Sequence, residues 1–235
     1  MARQRAFDRD TALESALRAF WEHGYEATSI AALTTAMGIR PPSLYAAFGD
    51  KRRLFEEAVR RYQLTHGAFT TRALAEEPTG RRAVERVLRE SAAVYTNADH
   101  PPGCLIISAA VNCGPESADV KELLRGFREA AKAAIRKRVD DDVAAGRLPP
   151  GTDAEALATF FASVIQGMST QSRDGASYAD LLSVAELAMA AYPPPLPDGR
   201  AKAARPPRAR GSGVHTADHH SHSRFSGVGG SGCGV

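Results

Sequence analysis

The chain has 235 residues, 43% of them apolar and 24% charged, with a formal net charge of +3. This length and composition suit one large or two small domains with a buried core. No run of about 18 apolar residues is present and the amino terminus lacks the apolar core of a signal peptide, so we expect a cytoplasmic protein with no membrane partner. Its three cysteines lack zinc-site spacing, which predicts free thiols and neither a metal nor another cofactor.

Helical patterns begin near the amino terminus and predict an all-α fold, since no long alternation of apolar and polar residues occurs. We predict a first helix over residues 8–23 that Asp8 caps and Gly24 ends. Thr28 is the predicted cap of a second helix, and Gly38 stands where a left-handed residue is needed to leave that helix. Apolar residues recur at helical spacing between these two positions: Ile30, Leu33 and Met37.

A third helix is predicted over residues 42–48, directly after the glycine turn. Its Leu44 and Phe48 are spaced i, i+4 and predict one buried face. Asp50 then caps a long fourth helix that starts at Lys51 and connects two domains. Two short helices across a glycine turn form the layout of a DNA-reading helix-turn-helix.

Five more helices are predicted downstream, bounded by Pro/Gly-containing turns. Their approximate ranges are 79–98, 103–112, 117–146, 153–173 and 177–191. Candidate caps for the last three helices are Ser117, Asp153 and Ser177. The acidic run Asp140 to Asp142 follows three basic residues, so we expect a solvated helix face with i, i+4 pairs.

The carboxyl-terminal segment differs in composition from the rest of the chain. Residues 193–235 hold six basic and two acidic side chains, whereas the preceding 192 residues hold 24 basic and 25 acidic ones. The segment is rich in Pro, Gly, Arg and His and has little apolar surface to bury. We therefore predict a disordered tail over residues 193–235.

Residues 7–62, about a quarter of the chain, resemble the DNA-binding domain of the TetR family of bacterial transcriptional regulators. The resemblance is carried by residues 20–25 (Phe-Trp-Glu-His-Gly-Tyr), 28–30 (Thr-Ser-Ile), 37–39 (Met-Gly-Ile), 43–45 (Ser-Leu-Tyr), 48–49 (Phe-Gly), and Lys51 with Leu54 and Phe55. It implies a three-helix DNA-binding domain over residues 1–50 and a helical ligand-binding and dimerisation domain over residues 51–192. Expected partners are a double-stranded DNA operator, a second copy of the chain and a small-molecule inducer of unknown identity.

In this family the second helix of the motif enters the major groove. Carried over by position, Arg40, Pro41, Pro42 and Ser43 form the groove-facing start of that helix. Arg40 suits a guanine contact, because its planar fork matches O6 and N7; alternatively, it only solvates the turn. Ser43 can bond a base edge or a phosphate, and the two prolines can touch a thymine methyl group or shape the turn.

Four further residues are expected at the DNA backbone. Tyr45 and Lys51 are predicted phosphate contacts, with plain packing as the alternative for Tyr45. Thr28 and Ser29 are expected to place backbone N–H groups toward another phosphate. Such contacts fix the position of the protein on DNA without reading sequence.

The resemblance also implies a ligand cavity in the second domain. The side chains expected around it are Tyr95, Cys104, Ser108, Asn112, Phe127, Arg128, Phe160, Phe161 and Gln166. The pair Phe160 and Phe161 also fits an ordinary apolar core. No ligand is identified by these residues.

A Gly-Cys-Leu sequence at residues 103–105 resembles one branch of the family, some of whose members sense electrophiles or oxidants. The predicted helix 103–112 places Cys104 in its first turn, where the helix dipole would favour the thiolate. The alternative is that Cys104 is a small apolar core residue.

Taken together, the sequence predicts a ligand-responsive repressor that binds a palindromic operator as a homodimer. Two alternatives remain at this point: a thiol-redox sensor acting through Cys104, and a constitutive DNA-binding dimer without an inducer. An enzyme is not expected, because no phosphate-binding glycine loop, nucleophile motif or metal-ligand spacing is present and no catalytic residue is proposed.

Overall fold

The computed structural model describes residues 7–196, and within that range the chain forms helices and turns without any β-strand. The α-helices are α1 Arg9–His23, α2 Ile30–Met37, α3 Pro41–Phe48, α4 Lys51–Leu64, α5 Ala68–Glu76, α6 Gly80–Tyr95, α7 Leu105–Ser108, α8 Ala118–Ala144, α9 Ala154–Arg173 and α10 Tyr178–Ala188. The all-α prediction is confirmed. In the described part of the chain, no helix combines the length and apolar character needed to span a membrane. Most of the predicted tail lies outside the described residues.

The first helices are set by local caps. Asp8 accepts hydrogen bonds from the backbone N–H groups of the first turn of α1, and Asp50 does the same for α4 through the N–H of Arg53 at 2.8 Å. The cap of α2 is Ser29, whose Oγ accepts from a backbone N–H at 3.1 Å. The prediction that Thr28 caps α2 is wrong, because Thr28 is buried and its hydroxyl donates to the carbonyl of Gly24.

Helices α1 to α4 share one aromatic core. Phe20 is fully buried and meets Phe55 edge to face, with ring centroids 5.0 Å apart. Trp21 meets Tyr62 in the same manner at 4.9 Å. Burying rings of this size supplies much of the free energy that holds α4 against α1. Helix α3 packs against α2 and α4, with Leu44 and Phe48 buried beneath it.

The long helix expected from Lys51 divides into α4 and α5. Helix α4 ends at Leu64, and Gly67 lies at the corner, where an added Cβ would stand 2.7 Å from the ring of Tyr62. A side chain at this corner would clash with the ring, so the tight approach of the turn to Tyr62 requires glycine. Helix α5 was not predicted, because a single glycine without proline is a weak break signal inside a helical pattern.

The predicted helix 103–112 is much shorter, since α7 spans four residues. Beyond Ser108 the chain turns away, and the carbonyl of Ala109 accepts a hydrogen bond from the N–H of Tyr25 at 2.7 Å instead of continuing the helix. Gly103 has a φ of +77° and lies so close to α9 that an added Cβ would stand 2.8 Å from the carbonyl oxygen of Ser169. Contacts with other helices thus override local helical preference here.

Helices α8 to α10 follow the predicted ranges closely, but two predicted roles differ. Ser117 makes no side-chain cap bond and instead donates to Glu26 at 2.8 Å. Asp142 is 2% exposed and not on a solvated face, because Tyr192 and Arg147 donate to its carboxylate at 3.0 and 2.8 Å. The expected i, i+4 pairs do form on the exposed side of α8, between Arg136 and Asp140 and between Lys137 and Asp141.

Candidate nucleic-acid interface and ligand cavity

The outward face of α3 is available for contact with another molecule. Leu44 and Phe48 are buried under the helix, which directs the opposite face to solvent. The exposed residues there are Arg40, Pro41, Pro42, Tyr45 and Ala46. Ser43 is half-buried beside them. The structure therefore brings the five predicted residues from Arg40 to Tyr45 together on the start of one short helix.

Arg40 occupies the N-cap position of α3 without a side-chain cap bond. Its carbonyl accepts from the N–H of Ser43 at 2.9 Å, which begins the helix, and Pro41 at the first helical position needs no acceptor. Within residues 7–196 the guanidinium of Arg40 makes no hydrogen bond or ion pair. All of its donors are free to bind an outside acceptor.

Lys51 lies at the start of α4 and its side chain is held in place. The ammonium is 4.4 Å from the ring centroid of Tyr25 and 3.4 Å from the carbonyl oxygen of Glu26. Burial against these groups lowers the pKa of Lys51 from its usual value. The side chain is thus a positioned cation beside α3 and not a freely moving surface lysine.

The start of α2 provides backbone donors on the same side. Ser29 accepts the N–H of Ala32, which leaves the N–H groups of Ile30 and Ala31 without an intrahelical acceptor. Thr28 is 1% exposed as a whole residue, so neither its side chain nor its backbone N–H is open to an outside anion, and the predicted role of Thr28 beside Ser29 does not fit its position. Free N–H groups at a helix start favour an anion such as a phosphate.

Two basic residues near α3 were missed in the sequence. The guanidinium of Arg9 lies 4.4 Å from the ring centroid of Phe48 and pairs with Glu57 at 2.7 Å, so it braces α3 against α1 and α4. Arg53 lies beside Gly49 with a side chain that is 74% exposed. Both residues lie in the first turns of helices whose caps were predicted, so their position close to α3 could have been predicted from the sequence.

A cavity of about 870 Å³ lies between the corner of α4 and α5 and helices α7, α8 and α9. Ligand pockets in proteins commonly have volumes of roughly 300–1,000 Å³. Five of the predicted lining residues reach it: Tyr95, Cys104, Phe127, Arg128 and Gln166. The lining also includes residues that the sequence reasoning missed, among them Tyr62, Phe69, Leu74, Ile106 and Ile135. Several of these belong to α5 and its preceding corner, the elements that were not predicted.

The other four predicted cavity residues lie elsewhere. Ser108 donates to the carbonyl of Cys104 at 2.9 Å, and Asn112 is exposed in the turn after α7. Phe160 is 41% exposed on α9, whereas Phe161 is fully buried and packs near Tyr192 with ring centroids 6.0 Å apart. The core interpretation of Phe161 is the correct one.

Cys104 is not in the first turn of a helix but at the N-cap of the four-residue α7. The thiol is buried, and the hydroxyl of Tyr62 donates to its sulfur at 3.3 Å. Burial raises the pKa of the Cys104 thiol, because the thiolate would be poorly solvated there. The environment therefore disfavours the thiolate on which the redox-sensor alternative depended.

Hydrogen bonds connect the helices around the cavity to the carboxyl end of α1. Arg128 donates to the carbonyl of Ile106 at 2.8 Å, and three residues later in the chain the carbonyl of Ala109 accepts from Tyr25. A second connection is Arg173 at the end of α9. Its guanidinium donates to three carbonyls at 2.9–3.4 Å: those of Trp21, Glu22 and Pro102. Both connections lead from helices around the cavity to the carboxyl end of α1.

Helices α9 and α10 expose large apolar side chains on their outer faces. These are Phe160, Tyr178, Val184 and Leu187, the last of which is 77% exposed. Gly167 on α9 is exposed and has open space around it. Exposed apolar patches of this kind mark interaction surfaces.

The sequence matches models of two protein domains and is similar to known transcriptional repressors. Residues 12–58 match the sequence model described as bacterial regulatory proteins, tetR family, and residues 80–179 match that of the tetracyclin repressor-like C-terminal domain. The chain is 34% identical to the HTH-type transcriptional repressor ComR of Escherichia coli over 81% of this chain and 91% of that protein. It is 32% identical to the HTH-type transcriptional repressor BdcR of the same organism, over 79% and 89%.

The fold is also similar to solved structures. A cysteine mutant of the TetR family transcriptional regulator CifR, complexed with 26 bp double-strand operator DNA, shares 46% identity with this chain at a TM-score of 0.78. The match covers 81% of this chain and 100% of that one.

Proposed function

Because this chain belongs to the TetR family of bacterial transcriptional regulators, we propose that it is a repressor that binds operator DNA as a homodimer and is released by a small molecule. The observation that carries the proposal is the exposed start of α3, where Arg40, Pro41, Pro42 and Tyr45 face solvent while Leu44 and Phe48 are buried beneath the helix. In this proposal residues 1–50 are the DNA-binding domain and residues 51–192 bind ligand and form the dimer.

The DNA contacts divide into two kinds. Arg40 has a fully available guanidinium and reads a base edge in the major groove. Tyr45 and Lys51 contact phosphates, as do the free N–H groups at the start of α2 behind Ser29. Ala46 and Ala47 offer no hydrogen bonds at mid-helix, so part of the specificity comes from DNA shape.

Dimerisation is supported by the outer faces of α9 and α10. Their exposed Phe160, Val184 and Leu187 become buried when two copies pack as a four-helix bundle, with Gly167 allowing close approach. A dimer is needed because one short helix makes too few contacts for specific binding. Two copies of α3 then reach half-sites that lie roughly 34–36 Å apart.

Release by a small molecule is supported by the cavity and its connections. A ligand between α5, α7, α8 and α9 contacts elements that also hold the end of α1, through Ala109 after α7 and Arg173 at the end of α9. A ligand that binds one arrangement of these helices better than the other shifts the dimer away from the DNA-matched spacing. Operator binding, the other part of the proposal, is supported by the similar protein CifR, whose structure is in complex with operator DNA.

The test is binding of the purified full-length protein to a labelled duplex from its own promoter region, followed by fluorescence anisotropy over a range of salt concentrations. Arg40→Ala is expected to weaken specific binding by about 1–3 kcal/mol and relax sequence preference. Lys51→Ala is expected to weaken all duplexes alike and to reduce the salt slope by about one unit. Arg82→Ala is the matched control, since Arg82 is exposed on α6, away from α3.

Two results would contradict the proposal. Unchanged binding by both Arg40→Ala and Lys51→Ala would show that α3 is not the DNA-reading element. Absence of specific binding in a selection from random duplexes would reject the repressor assignment itself.

A further inference from the structure

We propose that the ligand of the cavity is a small amphipathic anion, an apolar body with one carboxylate that pairs with Arg128. This inference rests on the proposed function, because it names the chemical class of the inducer. It follows from the charge, the partners and the shape of the cavity wall.

The charged side chains at the cavity are mostly basic. Five of those in its lining are basic and one is acidic: Arg72, Arg128, Lys132, Lys137, Arg138 and Asp141. Asp141 is already paired with Lys137 at 2.8 Å, and Lys132 is paired with Glu129 at 3.1 Å. A positively charged ligand would therefore find no free carboxylate among the lining residues.

Arg128 differs from Lys132 and Lys137 in its hydrogen-bond partner, which is a backbone carbonyl and not a carboxylate. One of its guanidinium nitrogens donates to the carbonyl of Ile106 at 2.8 Å, and within residues 7–196 no carboxylate lies at ion-pair distance. Burial lowers the pKa of Arg128, because the charge is partly removed from water without a compensating anion. The neighbouring Glu129 is occupied by Lys132. A ligand carboxylate would satisfy the remaining N–H donors and offset that desolvation.

The rest of the wall suits an apolar body. Phe69, Leu74, Phe127, Ile135 and Ile165 are among the lining residues. The lining along α8 runs from Phe127 to Asp141, about 21 Å at 1.5 Å per residue. Arg128 lies at the end of this length nearest to α7. The expected ligand is therefore elongated, with its charge at one end.

The position of Arg128 also links ligand charge to release. The carbonyl it holds belongs to Ile106 in α7, and the chain that follows α7 contacts Tyr25 through Ala109. A carboxylate that pairs with the other N–H donors of the same guanidinium competes with the carbonyl of Ile106 for its position, and this weakens the hold on the segment that contacts the end of α1. The anion thus acts at the inner connection between the cavity and the DNA-binding helices.

The experiment compares three ten-carbon probes that differ only in head group: decanoate, decanol and decylamine. Their affinities for the full-length protein are measured by titration calorimetry at neutral pH below the micelle concentration, alongside release of labelled operator. Decanoate is expected to bind ~10- to 100-fold tighter than decanol and to release DNA, with decylamine the weakest.

Variants assign the effect to the residue. Arg128→Gln is expected to remove the preference for decanoate over decanol. Arg128→Lys, which keeps the charge but loses the planar fork, is expected to retain part of it. Arg125→Gln is the matched control, since Arg125 lies one turn earlier on α8, pairs with Glu122 at 2.6 Å and does not line the cavity. Cooperative thermal unfolding of each variant shows that it is folded.

The outcomes separate the two proposals. Equal binding of decanoate and decanol, with release of DNA by both, overturns the anion inference and leaves the ligand-responsive repressor standing. A decanoate preference that survives in Arg128→Gln also overturns the inference. If none of the three probes binds, the anion inference is also overturned. If no apolar compound in a wider panel affects operator binding, inducer-controlled release itself is overturned.

Discussion

The buried carboxylate of Asp142 provides a quantitative test of how the second half of the chain is held together. Three donors converge on it: the N–H of Arg81 at 3.3 Å, the hydroxyl of Tyr192 at 3.0 Å and the guanidinium of Arg147 at 2.8 Å. They join the start of α6, the end of α8 and the segment after α10. We expect Asp142→Ala to disconnect these three parts.

The size of the effect follows from what the substitution leaves behind. The hydroxyl of Tyr192 is buried and the N–H of Arg81 lies beside it, so each loses its acceptor at a cost of about 1–3 kcal/mol. The side chain of Arg147 is 41% exposed and can turn to water at little cost. We therefore expect a loss of about 3 kcal/mol, which for a chain of this size lowers Tm by about 6–12 °C.

The measurement is thermal unfolding followed by circular dichroism, at one protein concentration because a dimer's Tm depends on it. Asp140→Ala is the control, since Asp140 is two residues away, 55% exposed and paired with Arg136 at 3.5 Å. Its Tm is expected to change by no more than about 2–4 °C, as exposed pairs contribute about 0–1 kcal/mol. Equal Tm values for the two variants would refute the reasoning.

Three further results are expected. Burial alone would raise the pKa of Asp142, but hydrogen bonds from the start of α6, Arg147 and Tyr192 outweigh it, and the net pKa is lowered. In urea unfolding, the stability advantage of wild type over Asp142→Asn is therefore full above about pH 4 and shrinks as the pH falls further. An advantage that grows in acid would contradict this. Gly103→Ala is expected to lower Tm, because φ is +77° and the new Cβ would meet the backbone of α9 at 2.8 Å; a Tm equal to that of wild type would show that α7 can move away. In the native protein iodoacetamide, followed by peptide mass spectrometry, should label Cys113 well before Cys104, and the reverse order would mean that the Cys104 thiol is accessible.

The amino-terminal helices were predictable because their signals are local. Helix starts are fixed by the side chains of Asp8 and Asp50, which accept hydrogen bonds from backbone N–H groups a few residues away, and helix ends by the positive φ of Gly24 and Gly38. The outward position of Arg40 and its neighbours then follows from the helical period, with buried residues on the opposite face. Thr28 failed as a cap because Ser29, the next residue, competes for the same role.

The cavity was harder to predict because distant contacts decide it. The local pattern favoured a helix over residues 103–112. A hydrogen bond from the N–H of Tyr25 to the carbonyl of Ala109 and the close approach of Gly103 to α9 limit that helix to four residues. The acidic run on α8 looked uniform, yet helix rotation places Asp142 inward and its two predecessors outward. No single sequence window contains the partners that make this difference.

The hydrogen bonds of Arg173 limit how the chain can be recombined with its relatives. The carbonyls at the end of α1 are satisfied by a side chain about 150 residues later in the sequence, which also binds the carbonyl of Pro102. A fragment ending near residue 50 would lack this cap and would expose Phe20 and Trp21, both fully buried by later helices. A chimera that exchanges the first three helices must therefore keep an arginine at the end of α9 and the turn before α7, or the carbonyls at the end of α1 lose the hydrogen bonds that hold them to the later helices.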